Sequence, residues 1–232
     1  MRTTFEELPG GTRAPAFRIL TSLLSVVAAT GIAVALGAQI FGLIIREEFF
    51  ALPYFSYFAT QSSVISFFGL LVMGVTGLRG PIDSQRAASF RSFLVLNSLI
   101  VFITNSTLFS ATPIATTASL SVQAWPDIIL YGAIPSYVIA EWIFNPLRAR
   151  IPRWVPFVGL LYPTSWIITM YVIAELTGWE VNPLMDPSGD ISLNLTLLYL
   201  GVLTVTLTLM ALVVLMINRV HYRLIPSNLF ES

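Results

Sequence analysis

Between Trp125 and Pro146 the sequence WPDIILYGAIPSYVIAEWIFNP places Asp127, Tyr131, Glu141 and Asn145 in a run otherwise apolar enough to cross a bilayer. At about 100° per residue, all four fall within roughly 40° of one direction on a helical face. A carboxylate inside a membrane span is costly unless it meets the bundle interior, a partner or water. Pro135 sits mid-span and removes the amide that the carbonyl of Tyr131 would otherwise accept from. Polar stripe, kink and freed carbonyl therefore coincide in one helix, which marks it as the first place to look for a site. The plainer readings are structural. Asp127 is near enough to one end to be an interfacial carboxylate in water, and Glu141 can pair with Arg148 or with a polar group on a neighbouring span.

Two further segments carry hydroxyls and amides. In FSYFATQSSVISFF, Thr60 and Ser63 lie one turn apart, as do Ser62 and Ser66, with Gln61 between them. A hydroxyl here is a candidate nucleophile only with a base to activate it; without one, small polar residues let helices approach closely and hydrogen-bond across the interface. Asn97 and Thr104 share one face of the next apolar run and can line the same cavity or join helices.

Other chemistries are excluded by composition. The single histidine, His221, lies beyond the last apolar run, so a histidine-based zinc or haem site within the membrane cannot form. There is no cysteine, and the twelve basic residues are all arginine, so neither a thiolate nucleophile nor a Schiff base on lysine is available. No metal and no cofactor is expected. Net charge is zero, against the basic patch that nucleic acid requires.

The elements that must position these residues follow from hydropathy. Of the 232 residues, 56% are hydrophobic and 10% charged, against about 25% charged in soluble domains. Apolar runs lie at about residues 19–45, 57–78, 92–111, 125–146, 155–175 and 193–217. The expected fold class is all-α: a polytopic integral membrane protein with six transmembrane helices. Residues 1–16 read as a tail, 17–218 as one six-helix domain and 219–232 as a second tail. With the amino terminus inside, eleven arginines fall on inner segments and only Arg46 on an outer one. That asymmetry puts both termini in the cytoplasm of a plasma-membrane protein. The loop 176–192, with Trp179, Pro183 and Asp186, reads as an ordered outer lid.

Four stretches together resemble the androgen-induced-gene and androgen-dependent-regulator superfamily of six-helix membrane proteins, and within it the prokaryotic Pr-six-Pr branch. YFSYFATQSS is similar to the family's aromatic-rich start of span two. Pro135 with Glu141 and Trp142 resembles its H-x-x-x-P and D-W elements. LLYPTSW resembles its Y-P element, and GWEVNPLMDPSG its outer loop. The resemblance implies an intramembrane fatty-acid-ester hydrolase that uses a threonine in span two and a histidine in span four. Carried over by position, these fall on Ala59 and Tyr131, so the dyad is replaced. Alanine has no nucleophile, and a tyrosine, ordinarily of pKa about 10, is a poor base near neutrality.

The leading expectation is a protein that binds a membrane lipid or acyl chain in a cavity among spans two, three and four. Asp127, Pro135, Glu141, Asn97 and Thr104 would line that cavity. The enzymatic alternative is a lipid ester hydrolase with Thr60 or Ser63 as nucleophile, assisted by Tyr131, Asp127 or Glu141. A third is transport of protons or small solutes along the Asp127–Glu141 stripe. No nucleic-acid partner is expected, and the sequence leaves the oligomeric state open.

Overall fold

A computed structural model describes residues 13–78, 84–111, 124–145, 149–177 and 193–224. Its elements are α1 (Arg13–Ile45), α2 (Ala51–Ser56), α3 (Phe58–Gly77), α4 (Gln85–Ala111), α5 (Ala124–Ile128), a π-turn (Ile129–Ala133), α6 (Ile134–Phe144), α7 (Val155–Gly159), α8 (Leu161–Thr177) and α9 (Leu193–Leu224). No strand occurs among the described residues, and six helices are long and apolar enough to cross a membrane. The expected spans agree closely, with three shifts. Helix α1 begins at Arg13, inside the expected tail. Helix α4 begins at Gln85, so that Arg91 is a helical residue and not a loop residue. Helix α9 extends to Leu224.

Helices α1 and α3 pack along their length. The buried residues of α1 include Arg18, Ser22, Ser25, Ala29, Ile32, Gln39 and Leu43, and those of α3 include Ser63, Ser66, Leu70, Met73 and Gly77. Steps of three and four residues make a seam of the coiled-coil type. Small residues, Ser22, Ser25, Ala29, Ser63, Ser66 and Gly77, recur in it where the backbones are close. A Cβ on Gly74 would stand 2.6 Å from Val26 Cγ2 and 2.9 Å from the Ser22 carbonyl oxygen. Where hydrocarbon surrounds a bundle, such close approach supplies the van der Waals contact that holds helices together.

Helix α4 is the hub: it packs on α3, α6, α7 and α9 and is buried almost all round from Arg91 to Ser98. The outward sides of the helices are apolar, as at Val27, Phe41, Phe68, Ile168 and Val205. The interior holds Arg18, Gln39, Thr60, Arg91, Asn97 and Asn218 instead.

Helix α1 ends through local geometry. Glu47 adopts φ 60°, the Glu48 amide donates to the Leu43 carbonyl at 2.9 Å, and the Glu47 amide donates to that of Ile44 at 3.0 Å. This is a Schellman closure with glutamate at the position that usually takes glycine.

Candidate functional site

The stripe expected on one face divides into two clusters, and the cause is the π-turn. Pro135 has no amide for the carbonyl of Tyr131. Just before it, the Ile134 amide donates to Ile129, five residues back. One added residue per turn swings everything that follows by about 100° relative to an unbroken α-helix. Asp127 and Tyr131 consequently face α1, whereas Glu141 and Asn145 face α4.

In the first cluster, Gln39 of α1 is completely buried and is the centre. Its Nε2 donates to Asp127 Oδ1 at 2.6 Å and to the Tyr131 hydroxyl at 3.4 Å. Its Oε1 accepts from the Tyr54 hydroxyl at 2.9 Å. A carboxylate can only accept, so the amide nitrogen must face Asp127. Burial, with Tyr131 and Asp127 nearby, raises the Tyr54 pKa, which keeps that phenol protonated as a donor. Thr60, also fully buried, lies against the Tyr131 hydroxyl but outside hydrogen-bonding geometry, and its Oγ1 has no partner.

The second cluster holds a buried ion pair. Arg91 Nη1 donates to Glu141 Oε1, and both side chains are under a tenth exposed. Asn145 Nδ2 donates to the same oxygen at 2.6 Å. The Tyr137 hydroxyl lies 2.9 Å from Ser25 Oγ and donates to the Thr21 carbonyl at 3.3 Å, tying α6 to α1 at this level. Glu141 is thus a joint between α4 and α6, made with a neighbouring span. Arg148 lies outside the described residues.

The remaining expected residues separate. The Ser63 hydroxyl donates to the Ala59 carbonyl at 2.8 Å, within its own helix. Asn97 is buried, with Nδ2 on the Phe93 carbonyl at 2.8 Å and Oδ1 without a partner. Thr104 is exposed, and Pro135 is buried in the core beside Ile134. Trp142 is fully buried and so serves the core, not an interface. Trp179, Pro183 and Asp186 of the expected lid lie outside the described residues. No three His, Cys, Asp or Glu side chains gather in a metal-binding arrangement among the described residues.

A cavity of about 600 Å³ lies elsewhere, between the start of α4 and the α7–α8 segment. Phe93, Val155, Val158, Leu161 and Tyr162 give it apolar walls, and Arg86 and Trp154 stand at its rim. Tyr162 is held from behind: its hydroxyl donates to Gln61 Oε1 at 2.9 Å, and its ring packs against Phe58 and Phe93. The Trp166 Nε1 donates to the Ser56 carbonyl at 2.8 Å, fixing the same side of α8 on the end of α2.

Gln39, Tyr54, Arg91 and Tyr137 were not among the residues singled out in the sequence. A lone amide in the apolar run of span one is a legible signal for Gln39, because an amide there needs partners. Arg91 is hidden by its place at the edge of a polar loop. No family model, no curated protein and no solved structure matches the chain.

Proposed function

We propose that this chain is a multi-pass plasma-membrane protein, with both termini in the cytoplasm, that holds a lipid or acyl-chain ligand. The observation that carries this reading is the cavity of about 600 Å³ walled by Phe93, Val155, Val158, Leu161 and Tyr162. Its volume is in the range of small-molecule sites, which are mostly apolar with a few placed polar groups. Apolar outward faces around a polar interior support insertion in a bilayer, and the resemblance to the androgen-induced-gene superfamily supports the acyl-chain class. Lipid mass spectrometry on the detergent-purified protein tests it. A single-chain species is expected to co-purify with the wild type and to be lost from Val158→Trp, whose indole fills the slot from a half-exposed position.

A second reading, an ester hydrolase of the same family type, is favoured by one observation: the unpartnered Thr60 hydroxyl lies against Tyr131, in the network that ends on Asp127. A nucleophile with a spare proton and an acidic network beside it meets part of the geometric requirement for acyl transfer. Turnover of a fatty-acid-ester panel that disappears in Thr60→Ala would establish this reading. Absence of turnover in the wild type would dismiss it.

A further inference from the structure

The rim of the cavity is cationic. Arg86 lines it from the first turn of α4, is exposed, and has no hydrogen bond or ion pair among the described residues. Arg153, between the lining residues Pro152 and Trp154 in sequence, is exposed but is not itself a lining residue. No acidic side chain is among the lining residues. Two further described cations of this end, Arg91 and Arg18, are used internally. Arg91 is tied to Glu141, and Arg18 Nε donates to the Gly77 carbonyl at 3.2 Å. One exposed guanidinium, that of Arg86, thus borders an apolar slot whose α4 wall runs from Arg86 to Phe93, about 10 Å of helix. Guanidinium binds carboxylate and phosphate through paired N–H donors.

From this arrangement we infer that the ligand is an anionic single-chain amphiphile, its headgroup on Arg86 and its chain between Phe93, Val158, Leu161 and Tyr162. The inference rests on the cavity being a lipid site and names which lipids enter it. A neutral amphiphile gains only the apolar contacts. A cationic one is repelled at the rim. A slot of this volume takes one chain, and the charged group remains at the level where water reaches Arg86, so the anion is not desolvated alone.

Trp154 at the rim supplies the readout. The purified full-length protein, in nonionic detergent at pH 8, would be titrated with 9,10-dibromostearic acid, its methyl ester, and a dibromostearoyl lysophosphatidic acid. Bromine quenches indole fluorescence on contact. Saturable quenching by both acids is expected, lost in Trp154→Phe. Arg86→Gln should weaken both acids at least tenfold while leaving the ester unchanged, and the tighter of the two acids identifies a carboxylate or a phosphate headgroup as the source. If Arg86→Gln changes acid and ester alike, or neither, the headgroup assignment is overturned, although Val158→Phe would still abolish quenching. If Val158→Phe, which fills the slot without adding an indole, leaves quenching by all three probes intact, the cavity is not the lipid site and the underlying reading fails as well. Arg86 and Val158 are both exposed or half-exposed, so thermal unfolding of each variant should match the wild type and serves as the folding control.

Discussion

Arg91 and Glu141 carry the largest single electrostatic commitment in the described bundle, because both charges are buried between α4 and α6. Desolvating two ions is offset only when each meets its counterion in good geometry, with the spare lone pairs also satisfied. Asn145 provides part of that on Glu141. Removing one partner leaves the other charge buried without its counterion. Glu141→Leu or Arg91→Leu alone should therefore cost about 3–5 kcal/mol. The double variant Arg91→Leu/Glu141→Leu should recover most of the loss, since an apolar pair of similar volume has no charge to desolvate. Thermal unfolding of the three variants in one detergent provides the cycle. Additive losses in the double variant would show that the two residues act independently and that the pair does not join the helices. Gln39 plays the corresponding part at the other end of α1, where one amide satisfies a carboxylate and two phenols.

Within single elements, the backbone decides what the side chains can meet. The π-turn before Pro135 converts one stripe into two faces, and without it Glu141 would point towards α1 and miss Arg91. At the end of α1, Glu47 sits at φ 60°, a conformation that costs a non-glycine residue about 1 kcal/mol. Glu47→Gly should raise stability by up to about 1 kcal/mol, less the extra freedom that glycine has in the unfolded chain. For a chain of this length the change corresponds to about 2–4 °C in Tm. A lowered Tm would mean that the Glu47 side chain contributes more than its backbone strain costs. The α1–α3 seam has the opposite sensitivity. A Cβ at Gly77 would come within 2.3 Å of Ser22 Oγ, which a serine rotamer can relieve, whereas at Gly74 the obstacle includes backbone.

On the scale of the whole molecule, the orientation proposed from arginine placement is open to a direct check. The chain has no cysteine, so single cysteines report without background. Glu47→Cys and Gln85→Cys are both at exposed positions at opposite ends of the bundle. With cytoplasmic termini, a membrane-impermeant maleimide should label Glu47→Cys in intact cells and Gln85→Cys only after permeabilisation. The reverse pattern would invert the orientation and place the Arg86 rim on the outer surface. The α8 helix is the least enclosed of the six spans, attached through α7, through the Tyr162 contact to α3 and through the Trp166 contact to the end of α2. The cavity wall formed by Leu161 and Tyr162 thus belongs to the element with the fewest buried neighbours.

The helix count, the near-absence of charge along the spans and the identity of the polar residues within them were all determined by the sequence alone. Hydropathy is a local property, and twenty apolar residues have few alternatives to a spanning helix. The importance of Asp127, Tyr131 and Glu141 was legible for the same reason, since a polar group in hydrocarbon must find a partner. Which partner it finds was not legible. Gln39 lies 88 residues from Asp127 and Arg91 lies 50 from Glu141, and no spacing rule connects them. A regular helix of about 100° per residue misplaced Glu141 because the π-turn shifts the phase. The cavity was expected among spans two, three and four, where Asp127 and Tyr131 bond to Gln39 of α1 and Glu141 pairs with Arg91 of α4. The slot lies instead between α4, α7 and α8, where Gly159 lets α7 pack closely on α4 and α7 breaks before α8. Side-chain chemistry can be read along a chain, but the space between helices is set by which small residues meet across them.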